Sequence, residues 1–126
     1  MNADILFFFE EHPNALPLYE RLEEQIFAQI PDVKVKVSKT QIGFSNKRGF
    51  AFVSFLPVRK ANNRPKPFIT VTFGHFLRVE SSRIDAASEL YPNRWTHHVT
   101  VGTAEEIDDE LMGWIREAAA FSAAKR

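Results

Sequence analysis

The chain has no cysteine. That excludes disulfides, thiolate zinc sites and thiol nucleophiles. No apolar run approaches the ~20 residues that a membrane-spanning helix needs. The opening MNADILFFFEEH has neither a basic n-region nor a small-residue cleavage site, which speaks against a signal peptide. The five glycines are scattered singly, so no glycine-rich loop is available to cradle a phosphate. There is no G-x-S-x-G elbow, no internal repeat and no low-complexity linker. What remains is a chain of 126 residues, 44% apolar and 25% charged, the composition of a soluble globular protein. The expectation is one cytoplasmic domain over residues 1–126, with no bound cofactor.

The formal net charge of zero hides an asymmetry along the chain. Residues 1–32 hold one basic residue against seven acidic ones. Residues 33–66 hold nine basic residues and no acidic one: Lys34, Lys36, Lys39, Lys47, Arg48, Arg59, Lys60, Arg64 and Lys66. Residues 67–126 hold six basic and nine acidic residues. Two readings follow. Either acidic helices neutralise basic strands inside the fold, or the middle third attracts an anionic partner.

Hydrophobic periodicity lays out the elements. Residues 4–11, around Ile5 to Phe9, are too short a run to decide between helix and strand. Pro13, Asn14 and Pro17 open a helix over about 14–30, since a proline in the first turn removes an N–H that has no partner there. Leu18, Tyr19, Leu22, Ile26 and Ile30 follow at helical spacing. Val33, Val35 and Val37 alternate with Lys34, Lys36 and Ser38, as on a strand with one wet face. Gln41–Ser45 and Phe50–Leu56 read as strands joined by a hairpin turn at Asn46-Lys47-Arg48-Gly49. Residues 57–67 form a polar, proline-rich loop. Phe68–Phe73 and Trp95–Val101 are further strands, and Phe76–Glu80 is a candidate for another. Thr103-Ala104-Glu105-Glu106 reads as a capping box opening a helix over about 104–122. That helix carries the apolar stripe Ile107, Leu111, Trp114, Ile115, Ala118 and Phe121. The fold expected is therefore α+β: a mostly antiparallel sheet of about five strands, with the N- and C-terminal helices packed on one face. Phe50, Phe52, Phe55, Phe68 and Phe73 are too many for one core layer. They lead us to expect that the second face is covered, by the N-terminal segment or by a second copy in a homodimer.

Several residues invite a chemical reading. Arg48-Gly49-Phe50-Ala51-Phe52-Val53-Ser54-Phe55 fits the octapeptide of the RNA-recognition-motif fold, with Phe50 and Phe52 facing outward to stack on bases. That fold needs an amphipathic helix directly afterwards, where this chain has LPVRKANNRPKPF. His97-His98 suggests a metal, but strand neighbours point to opposite faces, so a regular strand cannot aim both at one ion. One of the pair is expected to be buried and hydrogen-bonded, the other to face a polar cluster. No metal site and no catalytic residue is assigned. The run from Ser81 to His98 is unusually rich in recognition chemistry. Lys39, Arg83, Tyr91, Arg94, Trp95 and one of His97 and His98 are expected to converge on an anion, since arginine offers a planar fork to phosphate or carboxylate. Asp85 and Glu89 either neutralise those arginines or serve a histidine in a small hydrolase or transferase.

Taken together, Lys39-Thr40-Gln41-Ile42-Gly43-Phe44, Gly49-Phe50-Ala51, Ser82-Arg83-Ile84, Arg94-Trp95-Thr96-His97-His98, Ile107-Asp108-Asp109-Glu110-Leu111, Trp114 and Glu117-Ala118 are distinctive. In this order they resemble an uncharacterised bacterial family known only as a domain of unknown function. A more distant relative carries the label of predicted transport protein. The likeness runs from about Phe9 to Phe121. It implies a shared fold and a shared polar cluster, but no reaction. Appended to larger proteins, such domains suggest binding. The functional expectation is thus a non-catalytic binding module for an anionic ligand or nucleic acid.

Overall fold

The computed structural model describes residues 2–124. The elements follow the chain as α1 (Ala3–Phe8), a 3-10 turn (Pro13–Ala15), α2 (Leu16–Gln29), β1 (Lys34–Val37), β2 (Ile42–Ser45), β3 (Gly49–Ser54), a 3-10 turn (Ala61–Asn63), β4 (Ile69–His75), β5 (Ala86–Tyr91), β6 (Arg94–Val101), a 3-10 turn (Ala104–Glu106) and α3 (Asp109–Ala123). The six strands form one antiparallel sheet in the order β1-β2-β3-β4-β6-β5. The fold is α+β, as the sequence led us to expect, with one strand more.

That extra strand is β5. Its residues, AASELY, are half-buried at best, and the last four are exposed. An edge strand wet on both sides has no hydrophobic alternation to betray it. The Phe76–Glu80 segment, by contrast, is not a strand. Pro92 followed by Asn93 at φ 63° makes the tight turn into β6, using asparagine's tolerance for the left-handed region.

The short N-terminal segment is a helix. Asn2 caps it by accepting from the Asp4 amide at 2.7 Å. The last helix starts later than expected. Glu106 does reach back, accepting from the Thr103 amide at 3.1 Å and the Gly102 amide at 2.8 Å, but this closes only a 3-10 turn. Ile107 breaks the helical path, and Asp108 then caps α3 by accepting from the Leu111 amide at 3.0 Å. The sequence holds two cap signals in a row, and the second one opens the helix.

One sheet face packs against the helices. Ile42, Phe44, Ala51, Val53, Ile69, Val71, Phe73, Val99 and Val101 meet Tyr19, Leu22 and Ile26 of α2 and Leu111, Met112 and Ile115 of α3. Phe8 and Phe9 of the N-terminal segment close one end of this core around Phe55, with ring centroids 5.4 and 5.5 Å away.

The second face differs from the expectation of a doubly apolar sheet. By register and alternation it carries Phe52 and Ser54 of β3, Thr70 and Thr72 of β4, and Thr96, His98 and Thr100 of β6. The threonines lent their methyls to an apparently apolar run, but their hydroxyls tolerate water. The proline-rich segment covers one end only. Leu56 accepts from the Thr70 hydroxyl at 2.6 Å, and Arg59 pairs with Asp85 at 2.8 Å. Phe50 and Phe73 are buried in the helix-side core, and Phe55 and Phe68 are half-buried. The phenylalanines counted towards a dimer surface are thus largely used within one chain. Among the described residues no helix is long and apolar enough to cross a membrane.

Candidate functional site

A cleft of about 160 Å³ opens where the start of β3, the end of β4, the β5–β6 turn and the last turns of α3 meet. Arg48, Phe50, His75, Tyr91, Arg94, Trp95 and Phe121 are among its lining residues. Local hydrogen bonds fix the walls. The Asn46 side chain donates to the Ala119 carbonyl at 2.8 Å, and the Ser122 hydroxyl accepts from the Arg48 amide at 3.0 Å. These ties pin the β2–β3 turn to α3. Opposite, Tyr91 pairs with Arg94 across the β5–β6 turn.

The Arg94 guanidinium lies 5.5 Å from the Phe121 ring centre. Stacked in this way, a guanidinium can turn its edge donors to a bidentate acceptor. Arg78, outside the lining, lies 5.7 Å from the Trp95 ring centre and pairs with Glu80 at 3.7 Å. The lining includes two arginines and a histidine and no carboxylate. His75 is occupied: its Nδ1 accepts from the Leu77 amide at 3.1 Å, and its Nε2 lies 3.2 Å from Glu117.

Of the seven residues singled out in the sequence, Tyr91, Arg94 and Trp95 meet here. The other four do not join them. Arg83 is a structural clamp at the start of α3. Its Nη1 donates to Asp108 at 2.8 and 3.0 Å and to Glu110 at 3.0 Å, and its Nη2 donates to the Glu106 carbonyl at 2.6 Å. The guanidinium also lies 5.8 Å from the Trp114 ring centre. Against the opposing pull of burial, the Leu111 amide and Arg83 hold the Asp108 carboxyl below its usual range. Lys39 lies far along the sheet, in a groove of about 1020 Å³ beside α1, with Asp4, Glu10, Glu11 and His12.

The two histidines part as neighbours on a strand must. His97 is fully buried, and its Nε2 accepts from the Val79 amide at 2.9 Å. It stacks on Phe73 with centroids 4.8 Å apart, and burial pushes its imidazole below the ordinary histidine range. His98 lies half-buried on the open sheet face, with Nδ1 2.8 Å from the Thr72 hydroxyl. Burial lowers its imidazole too. Neither hydrogen-bonds a carboxylate among the described residues. Asp85 is taken by Arg59 and by the Thr100 amide at 2.7 Å, and Glu89 accepts from the Asn93 amide at 3.2 Å. The alternative of a small hydrolase or transferase pairs His97 or His98 with one of these carboxylates, and no such pair is formed among the described residues. No group of three His, Asp or Glu side chains among the described residues is placed to hold a metal ion.

The RNA-recognition-motif arrangement also fails in its original form. Residues 57–67 hold one 3-10 turn and no helix, and Phe50 is buried at 2% exposure instead of facing outward. A register shift between β2 and β3 beside Phe50 accounts for this. Ser45 pairs with Gly49 and Phe44 with Ala51, leaving Phe50 as an extra residue turned inward. Sequence reasoning missed the place of Arg48, His75 and Phe121 in the cleft. Arg48 looked like turn chemistry, and Phe121 like one more residue of a core stripe.

Residues 7–122 match the family described as Domain of unknown function (DUF5655). No curated protein and no solved structure matches the chain.

Proposed function

The chain belongs to the DUF5655 family, whose description assigns no activity, and we propose from the geometry that it is a non-catalytic binding module for an anionic group, held in the cleft of Tyr91, Arg94 and Trp95. One observation carries this: the Arg94 guanidinium lies over the Phe121 ring in a cleft whose described lining joins basic and aromatic side chains and includes no carboxylate. In a protein with equal numbers of acidic and basic residues, that segregation favours a partner of opposite sign. The volume of about 160 Å³ suits a phosphate or carboxylate group and is below the range of roughly 300–1,000 Å³ typical of pockets that enclose a whole drug-sized ligand. The bound group is then one part of a larger partner, whose remainder lies on the surrounding surface.

The basic middle third supports the same reading. Lys34, Lys36, Lys39, Lys47, Lys60, Arg64 and Lys66 make no ion pair among the described residues. They supply long-range attraction, while the cleft supplies the specific contact.

Titration of the labelled protein with pyrophosphate, followed by amide chemical shifts at low salt, tests the assignment. Shifts concentrated at Tyr91, Arg94, Trp95 and Phe121, weakened about tenfold or more in Arg94→Ala, are expected from the loss of a charge-assisted contact. Shifts spread evenly over the lysines, or unchanged in Arg94→Ala, overturn it.

A further inference from the structure

The open sheet face carries a single row of side chains that crosses all six strands. Register places Lys36 beside Gly43, Gly43 beside Phe52, Phe52 beside Thr72, Thr72 beside His98, and His98 beside Ala86. Lys34 and Ser45 sit in the neighbouring row. Among the described residues, α2 and α3 pack on the opposite face from this row. The proline-rich segment stops at the Thr70 and Thr100 end.

Phe52 is the one phenyl ring in that row, and two glycines determine how it lies. A Cβ on Gly43 would come within 3.2 Å of its ring, and a Cβ on Gly49 within 2.6 Å. The ring therefore occupies the space that side chains at 43 and 49 would fill. It lies down along the sheet and leaves its outer face half open to solvent. A lone aromatic on a wet face gains little by covering glycine backbone. A flat ring bordered by hydroxyls is, however, a stacking platform.

The flanking chemistry fits a nucleobase and its backbone. Thr72 and His98 lie next along the row, and the His98 Nε2 makes no hydrogen bond among the described residues. Two strands away on the other side, roughly 10 Å at ordinary strand spacing, stand Lys36 and its neighbour Lys34, both exposed. Asp85, at the β5 border of this face, is already engaged by Arg59. Gly49 belongs to both places: it underlies the Phe52 ring and lines the arginine cleft.

We propose that this face binds single-stranded nucleic acid, with a base stacked on Phe52, the backbone led along Lys34 and Lys36, and one phosphate held in the arginine cleft. The last of these contacts rests on the function proposed above; the other two do not. Single strands are favoured because a duplex keeps its bases stacked on each other and offers none to the ring.

Fluorescence anisotropy with a labelled single-stranded oligonucleotide of about twelve nucleotides, against the same sequence as a duplex, tests the proposal. The single strand should bind better. Phe52→Leu, with folding confirmed by its melting curve, should weaken binding roughly 5- to 150-fold, the range for loss of one base–aromatic stack, and Phe52→Tyr should restore it. Lys36→Ala should lower the salt dependence by about one phosphate contact. Equal binding of duplex and single strand, or indifference to Phe52→Leu, overturns the platform even where pyrophosphate still reports the cleft. Conversely, binding that depends on Phe52 but not on Arg94 leaves the platform standing and removes the cleft from it.

Discussion

Arg83 and Arg94 look alike in the sequence, yet the structure places them in different surroundings, and the contrast is measurable. Replacing Arg83 by alanine removes three N–H···O contacts to Asp108 and Glu110 and one to the Glu106 carbonyl. The partner carboxylates are 46% and 53% exposed, so each ion pair is screened and contributes about 0.5 kcal/mol. The carbonyl contact adds about 1 kcal/mol. The stacking over Trp114 adds about 0.5–1 kcal/mol. The expected loss is about 2–3 kcal/mol. With an unfolding entropy of about 2.1 cal/mol/K per residue, Tm should fall by about 10 °C. Arg94→Ala gives up mainly its contact with Phe121, about 0.5 kcal/mol, and Tm should fall by about 2 °C.

Thermal and urea unfolding monitored by circular dichroism give both numbers. Arg83→Lys sharpens the comparison, because lysine keeps the charge but not the fork that reaches two carboxylates and a carbonyl at once. It should recover less than half of the loss. An Arg83→Ala variant within 0.5 kcal/mol of the parent would falsify the clamp, and so would equal losses at the two arginines.

Acidification should destabilise the fold from about the ordinary histidine value of 6.5 downwards. His97 and His98 both have lowered imidazoles in the folded state, so below that value the unfolded chain binds more protons and stability falls with pH. Each contributes a slope of at most about 1.4 kcal/mol per pH unit until its folded form also protonates. Urea midpoints between pH 7 and 5 check this, and His97→Gln should flatten the profile. Protonated His97 can no longer accept from the Val79 amide, which makes that variant a direct probe of the buried imidazole. Self-association is the next outcome. With Phe50 and Phe73 in the core, the exposed large apolar residues are spread over several elements: Leu6 and Phe7 on α1, Phe27 on α2, Leu56 after β3, Phe76 and Leu77 after β4, and Leu90 and Tyr91 at the end of β5. Sedimentation equilibrium at micromolar concentration should return 14.5 kDa, and a doubled mass that dissociates on dilution would restore the dimer.

The sequence revealed elements where packing imposes a period, and concealed them where it does not. The stripes of α2 and α3 and the strands β1 to β4 and β6 each have a face packed on the core, so their spacing is readable. β5 has none, and its polar residues looked like a binding loop. The same blind spot shaped the candidate site. Tyr91, Arg94 and Trp95 meet because one short turn joins them, a local fact that a sequence can carry. Arg83 and Lys39 sit at other ends of the molecule, and His97 and His98 on opposite faces, because tertiary packing decides where a segment lands. Phe50 was misplaced by one inserted residue, since a single-residue shift sends a side chain to the other face.

Charge is where sequence and fold bear most directly on function. The acidic N-terminal third could have neutralised the basic middle third, and the structure keeps much of the two apart. Glu20 and Glu24 lie on the solvent side of α2, over one sheet face, whereas Lys34 and Lys36 point from the other. A helix is about 10 Å across and the sheet adds to that separation, so the two sets stand roughly 15–20 Å apart. Screening at physiological salt acts over about 8 Å, so neither set cancels the other's field in solution. A chain of zero formal charge then presents a basic face. The consequence separates local from global electrostatics. Near the isoelectric point, about 6.9, attraction by net charge vanishes, but attraction by the face persists. Oligonucleotide binding measured there should still weaken steeply with added salt, and Lys34→Glu with Lys36→Glu should abolish it. The same two reversals placed at Glu20 and Glu24, as lysines, should leave it nearly unchanged despite shifting the net charge by the same amount. Binding that followed net charge alone, whichever face carried the changes, would refute the directed face.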